Sequence, residues 1–143
     1  MTTTMKIRIE KTKKGYPAIW ECGGGMTNTG YSQIIANSDG SPKKPVWVNK
    51  RGHLACADHA LFILQDGDII VQTDHHRRDF EIWVLRFEGT DIDGLYAKTT
   101  VLAHYSRGEW DNEEIAEKYK AVIKVAKEKT TCYHCRSPHY IEY

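Results

Sequence analysis

The sequence predicts an α+β fold, with a predominantly antiparallel, barrel-like β-sheet body followed by one C-terminal amphipathic helix. Short segments of alternating or apolar character, separated by turn residues, recur from residue 5 to residue 105. An apolar stripe at helical spacing follows within residues 112–129, and an aromatic and polar tail occupies residues 130–143. The length of 143 residues fits a single domain that spans residues 1–143.

In the first half of the chain, the residue pattern predicts five short strands with turn or loop residues between them. Alternation of charged and apolar residues in KIRIEK is typical of a half-buried strand. A glycine-rich loop, GGGMTNTG, separates the second strand from the third, and NSDGSPKKP separates the third from the fourth. The five predicted strands are Lys6–Lys11, Tyr16–Cys22, Tyr31–Ala36, Val46–Val48 and Leu61–Leu64.

Three further strands are predicted at Gly67–Thr73, Asp79–Phe87 and Leu95–Tyr105. The segment DFEIWVLRF is the clearest of them, and both of its faces are largely apolar. Such a strand is expected either at the centre of a covered sheet or against a second subunit. Asp74–Arg78 is expected to be a hairpin loop before this strand.

The predicted helix runs from Asn112 to about Lys129. Asp111 is expected to cap its N-terminus, with Glu114 completing a capping box. Its apolar stripe consists of Ile115, Tyr119, Val122, Ile123 and Ala126.

Composition and charge restrict the classes of partner. The formal net charge is +1, without the basic excess that is usual for a protein that binds long nucleic acids. No apolar run is long enough to span a membrane, and MTTTMKIRIE does not have the hydrophobic stretch of a secretory signal. A cytoplasmic location is expected, in which the four cysteines are thiols or metal ligands rather than disulfides.

The glycine-rich loop is the first candidate binding site. Successive glycines allow positive φ and a close backbone approach to a ligand, and successive amides can form an anion-binding nest. It is neither a Walker loop nor a dinucleotide fingerprint, and an ordinary surface turn explains the same composition. The candidate ligand-binding residues here are Gly24, Gly25, Met26, Asn28 and Thr29.

The segment DHHRRDF is the second candidate. His76 and Arg77 are candidate ligand contacts, because the planar guanidinium fork of arginine matches phosphate. Phe80 is a candidate stacking surface for a purine base. The alternative is a solvated hairpin loop with Phe80 in the core.

Two other functions compete with ligand binding. Cys132 and Cys135 form a Cys-x-x-Cys pair, which is half of a structural zinc site and would suit a nucleic-acid or protein adaptor. His75, His76 and Asp79 would suit a metal-dependent phosphoesterase. No nucleophile with an oriented base is recognisable in the sequence, so we expect a protein that is not an enzyme and needs no cofactor.

In GGGMTNTG, HLACADHALF and DHHRRDFEIW the chain resembles the first-described family of phage anti-Thoeris proteins. Proteins of that family sequester cyclic ADP-ribose isomers made by bacterial defence enzymes that carry TIR domains. The resemblance implies a β-rich body with helices, assembly into dimers and hexamers, and no hydrolysis of the captured ligand. The partners it implies are a small nucleotide signal and further copies of the same chain.

The resemblance also implies roles for individual residues. Phe80 would stack on adenine, and Arg107 would belong to a second site at a subunit junction that binds cyclic oligonucleotides in some members. Arg136 is a second candidate for that junction. The pocket asparagine of the family has no certain counterpart, since Thr90 or Asp91 stands near its place, which affects the expected isomer preference.

Overall fold

The structure is a computed structural model that describes residues 4–20, 30–49, 58–76 and 79–128. Within these residues, every pair of neighbouring strands is antiparallel, and the predicted α+β class is confirmed. The strands are β1 (Thr4–Arg8), β2 (Glu10–Lys11), β3 (Pro17–Trp20), β4 (Gly30–Ala36), β5 (Val46–Asn49), β6 (Asp58–Ile63), β7 (Ile69–His76), β8 (Asp79–Thr90), β9 (Tyr96–Ser106) and β10 (Glu109–Trp110). The helices are α1 (Glu113–Lys118) and α2 (Lys120–Glu128).

The larger sheet has the strand order β1-β9-β8-β7-β4 and curls into a half-barrel, and β10 pairs with the far end of β9. The predicted central strand is therefore central, because β8 lies between β7 and β9. Ile82, Val84, Leu85 and Phe87 of β8 are all buried. The pairing of β8 with β9 shifts register between Val84 and Leu85.

The smaller sheet has the order β2-β3-β6-β5. The single strand predicted at Lys6–Lys11 is divided between the two sheets, because β1 pairs with β9 whereas β2 pairs with β3. The chain returns to the larger sheet at the turn between β6 and β7. There Gly67 has a φ of +90°, and its N–H donates to the carbonyl of Phe87 at 2.9 Å.

One apolar core joins both sheets to the helices. It includes Ile19 and Phe62 of the smaller sheet, Ile70 and Leu85 of the larger sheet, and Val122 of α2. The helices add Tyr119, Ile123 and Ala126 to the same core, as the predicted apolar stripe requires. Of the helices that the structure describes, none combines the length and hydropathy needed to cross a membrane.

The predicted helix is present, but it is interrupted at Tyr119, which separates α1 from α2. The predicted cap is wrong by one residue. Asn112 is the N-cap, and its side-chain oxygen accepts from the Ile115 N–H at 3.2 Å. The Asp111 carboxylate instead accepts from the His104 N–H at 2.8 Å across the β9–β10 hairpin. Both residue types cap helices well, so the tertiary partner decided between them.

The hairpin loop predicted at Asp74–Arg78 is shorter than expected. The backbone of β7 continues through His76, which pairs with Asp79 at the start of β8. Asp74, His75 and His76 are therefore strand residues, because ladder pairing with β8 extends to the end of the hairpin. Arg77 lies outside the described residues.

Candidate functional site

Strand register brings distant parts of the sequence to one end of the larger sheet. Gly30, the last residue of GGGMTNTG, pairs with His75, and His75 pairs with Phe80. Across the next strand, Ile82 pairs with Tyr105, two residues before Arg107. One end of the larger sheet therefore brings together three features. They are the end of the glycine-rich loop, the end of β7 with His75 and His76, and the β9–β10 hairpin.

Three rings form a continuous group at this end, here called the aromatic row: Phe80, Tyr105 and Trp110. The Phe80 and Tyr105 centroids are 6.4 Å apart with an interplanar angle of 66°. The Tyr105 and Trp110 centroids are 5.4 Å apart at 55°. All three side chains are half-buried. Edge-on and tilted contacts of this kind are favourable, so the row holds the Phe80 ring in a fixed orientation at the sheet end.

The tip of the β9–β10 hairpin carries Arg107. Ser106 pairs with Glu109, so the turn consists of two residues, Arg107 and Gly108. Both have positive φ, 55° and 81°, as in a type I′ turn. The Arg107 side chain is exposed beside the aromatic row.

A groove adjoins the aromatic row on the side of the helices. Its volume is about 350 Å³, and Trp110 forms one wall while α1 and α2 form the rest. Tyr105 connects this groove to Phe80, because the Lys127 ammonium on α2 lies 5.7 Å from the Tyr105 ring centroid. Sequence analysis missed Tyr105 and Trp110 as site residues. The spacing of Tyr105 and Trp110 in YSRGEW does not indicate that either ring contacts Phe80, because strand pairing alone brings the three rings together.

The opposite face of the larger sheet carries a different polar row. Gln33, Gln72, Trp83 and His104 are successive register partners across four strands. The Gln33 amide donates to Gln72 at 3.1 Å, and the Trp83 and His104 rings stack at 5.0 Å. His104 Nε2 lies 3.3 Å from the Glu81 carboxylate but lacks hydrogen-bond geometry to any group in the described part of the chain. We regard this contact as a proximity rather than a formed hydrogen bond.

Several sequence candidates lie outside the described residues, and their roles stay predictions. They are Gly24, Gly25, Met26, Asn28, Thr29, Arg77, Arg136, Cys132 and Cys135. His76 is placed as a backbone position on β7, paired with Asp79. Among the described side chains, no group of three or more histidine, cysteine, aspartate or glutamate residues is arranged to hold a metal ion.

Comparison of the chain with protein-family models, with curated protein sequences and with solved structures finds no match.

Proposed function

We propose that the chain is a non-catalytic sponge that binds a cyclic ADP-ribose isomer, or a related cyclic nucleotide signal, at the end of the larger sheet. Phe80 stacks on the base in this proposal. The glycine-rich loop, which ends at Gly30, cradles ribose and phosphate, and Arg77 clamps the phosphate. The same activity is implied by the resemblance to phage anti-Thoeris proteins, in which capture of the signal inside the host cell blocks defence.

The register Gly30–His75–Phe80 is the observation that carries the proposal. It supports a shared site because Gly30 at the start of β4 and Phe80 at the start of β8 lie at the same end of the sheet, with only β7 between them. The Phe80 ring is half-buried and contacts Tyr105 by its edge or face at 66°, which suits a supported stacking surface. Base–aromatic stacking contributes about 1–3 kcal/mol per base, enough to make one ring decisive for affinity.

Sequestration requires affinity rather than a poised nucleophile. Stacking and phosphate contacts supply that affinity, and neither needs a metal or a cofactor. Assembly into dimers or hexamers, which the resemblance implies, would enclose the ligand further. We therefore include self-association in the proposal, with light scattering as its measurement.

Isothermal titration of the purified chain with cyclic ADP-ribose isomers, followed by heat release and chromatography of the ligand, tests the proposal. We expect binding of at least one isomer and recovery of the ligand unchanged. Phe80→Leu should weaken binding by roughly 5- to 150-fold, the equivalent of about 1–3 kcal/mol of stacking, whereas Phe80→Tyr should retain most of the affinity. Tyr16→Leu is the matched control, because Tyr16 is an exposed aromatic residue before β3 of the other sheet.

Two results would contradict this proposal in whole or in part. Equal affinity of Phe80→Leu and the wild type would remove Phe80 from the site. Recovery of a cleaved ligand, with turnover that needs a divalent metal and is lost in His76→Ala, would favour the phosphoesterase alternative built on His75, His76 and Asp79.

A further inference from the structure

The groove beside the aromatic row has acidic side chains on one wall and basic side chains on the other. Its α1 wall carries Glu113 and Glu117, and its α2 wall carries three lysines at helical spacing: Lys120, Lys124 and Lys127. Residues at i, i+4 and i+7 lie on one stripe of a helix, so the three ammonium groups share one side of the groove. The groove meets the aromatic row at Trp110, which lines it, and at Lys127, whose ammonium lies 5.7 Å from the Tyr105 ring centroid.

One of the three lysines is already paired. The Lys120 ammonium donates to the Glu117 carboxylate at 2.7 Å. This hydrogen bond and the charge of Glu117 hold the pKa of Lys120 above its ordinary value. The positive charge of Lys120 and the negative charge of Glu117 therefore offset one another in the groove.

The other two lysines differ from Lys120 in their surroundings. Within the described residues no ion pair joins Lys124 or Lys127 to a carboxylate, and both side chains are exposed. Lys127 contacts the face of Tyr105, a cation–π contact that orients its ammonium toward the aromatic row. Lysines in the last turns of a helix also stabilise the helix dipole, so their effect on stability must be measured apart from binding.

We infer that Lys124 and Lys127 form a further phosphate subsite of the nucleotide site, in addition to the clamp proposed for Arg77, on the helix side of the aromatic row. This inference rests on the proposed function, in which Phe80 stacks on the base. The Tyr105 ring centroid lies 6.4 Å from the Phe80 ring centroid and 5.7 Å from the Lys127 ammonium. Tyr105 therefore lies between Phe80, on which the base is proposed to stack, and the positive charge of Lys127. A nucleotide places its base and its phosphate at opposite ends of one ribose, which matches this order of contacts. Lysine is a mobile point charge that suits a pyrophosphate of several possible orientations.

The test compares ligands with and without phosphate on three proteins. Cyclic ADP-ribose isomers, ADP and adenosine are titrated into the wild type, Lys124→Gln/Lys127→Gln and the matched control Lys13→Gln/Lys14→Gln at low and moderate salt. Lys13 and Lys14 are exposed lysines in the turn between β2 and β3 of the other sheet. The double variant should lose about tenfold or more in affinity for the phosphate-bearing ligands, because charge-assisted hydrogen bonds to phosphate are lost. Its affinity for adenosine should be unchanged, and its salt dependence should be smaller. Lys13→Gln/Lys14→Gln should bind all ligands as the wild type does.

Inorganic pyrophosphate supplies a readout that does not depend on the nucleotide. Its addition to the wild type should shift the NMR signals of the Lys124 and Lys127 side chains, and thermal unfolding of each variant records any change in stability. Pyrophosphate binding at these lysines without nucleotide binding would keep the subsite and overturn the proposed function. Nucleotide binding that is sensitive to Phe80→Leu but not to the double variant would overturn the subsite alone. Binding of neither ligand would overturn both.

Discussion

Arg107 adopts a backbone conformation that side-chain-bearing residues rarely adopt. Its φ of 55° places it in the left-handed region, at the first position of a two-residue turn where asparagine and glycine are usual. Left-handed backbone costs an ordinary L-residue about 1–2 kcal/mol. An arginine at this position is therefore expected to be less stable than an asparagine or a glycine in the same turn.

Replacing Arg107 tests this interpretation of the turn. Arg107→Asn should raise the free energy of unfolding by about 0.5–1 kcal/mol, because asparagine tolerates the left-handed region. Arg107→Lys is the control, since lysine keeps the charge and the same backbone preference and should leave stability unchanged. Urea denaturation measures both. If the two variants are equally stable, the turn does not strain the arginine.

The same two variants bear on the second site that the family resemblance implies for Arg107. Under that implication, binding of cyclic oligonucleotides is weakened in both variants, since lysine lacks the planar fork of arginine. Binding of cyclic ADP-ribose at Phe80 is retained.

Among the secondary-structure elements, the junction of α1 and α2 is held by the turn that follows β4. The Tyr119 hydroxyl donates to the Ser38 carbonyl at 3.0 Å. Gly40 has a φ of +99°, and a Cβ at this position would lie 2.7 Å from the carbonyl oxygen of Lys118. The turn and the end of α1 therefore touch at a point where only glycine fits, and this contact positions α2 over β4 and β7.

Gly40→Ala should destabilise the protein more than Gly15→Ala. Gly15 has a similar φ of +87°, but a Cβ added there would meet no heavy atom of the described residues within 4 Å, so it reports backbone strain alone. We expect Gly15→Ala to cost about 1 kcal/mol and Gly40→Ala a further 1–3 kcal/mol or so for the clash with Lys118. Denaturation midpoints of the two variants measure the difference. Equal losses would mean that the helix junction moves away from the turn at no cost.

Most elements were predictable from local pattern, but their junctions were not. The apolar stripe of the helix and the alternation in Asp79–Phe87 are periodicities that a short window contains. The interruption at Tyr119 depends instead on Ser38 and Gly40, which lie about eighty residues earlier in the chain. The choice of Asn112 over Asp111 as N-cap depends on the N–H of His104 across a hairpin.

For the molecule as a whole, the continuous core links the two sheets and the helices. An ion pair adds to this link: Lys43, after β4, contacts the Asp68 carboxylate at the turn into β7. Asp68 is buried and also accepts from the Gln65 N–H at 2.9 Å, so its charge is compensated from two directions. A core shared in this way favours unfolding as one unit, in keeping with the predicted single domain.

Shortening a buried side chain on either side of the core should therefore lower the midpoint of a single unfolding transition that both sheets share. Val122→Ala in α2 removes a fully buried side chain and should cost about 2 kcal/mol, and Ile19→Val in β3 about 0.5–1.5 kcal/mol. Tryptophan fluorescence and far-ultraviolet circular dichroism should give coincident urea midpoints for each variant. Separate midpoints for the two probes would show that the sheets unfold independently.

The α+β class, the positions of most strands, and the helix with its buried stripe could all be predicted from local sequence patterns. These features follow from hydrophobic periodicity and turn residues, which act over a few neighbouring positions. The residue pattern of DHHRRDF also singled out Phe80, whereas Arg107 was named only through the family resemblance.

Local patterns could not predict which strands share a sheet or which candidate residues lie at the same sheet end. Strand pairing between residues far apart in the chain depends on register, and register is set by the burial of both sheet faces rather than by any one segment. The split of Lys6–Lys11 between two sheets, the row Gly30–His75–Phe80 and the contact of Lys127 with Tyr105 all arise in this way.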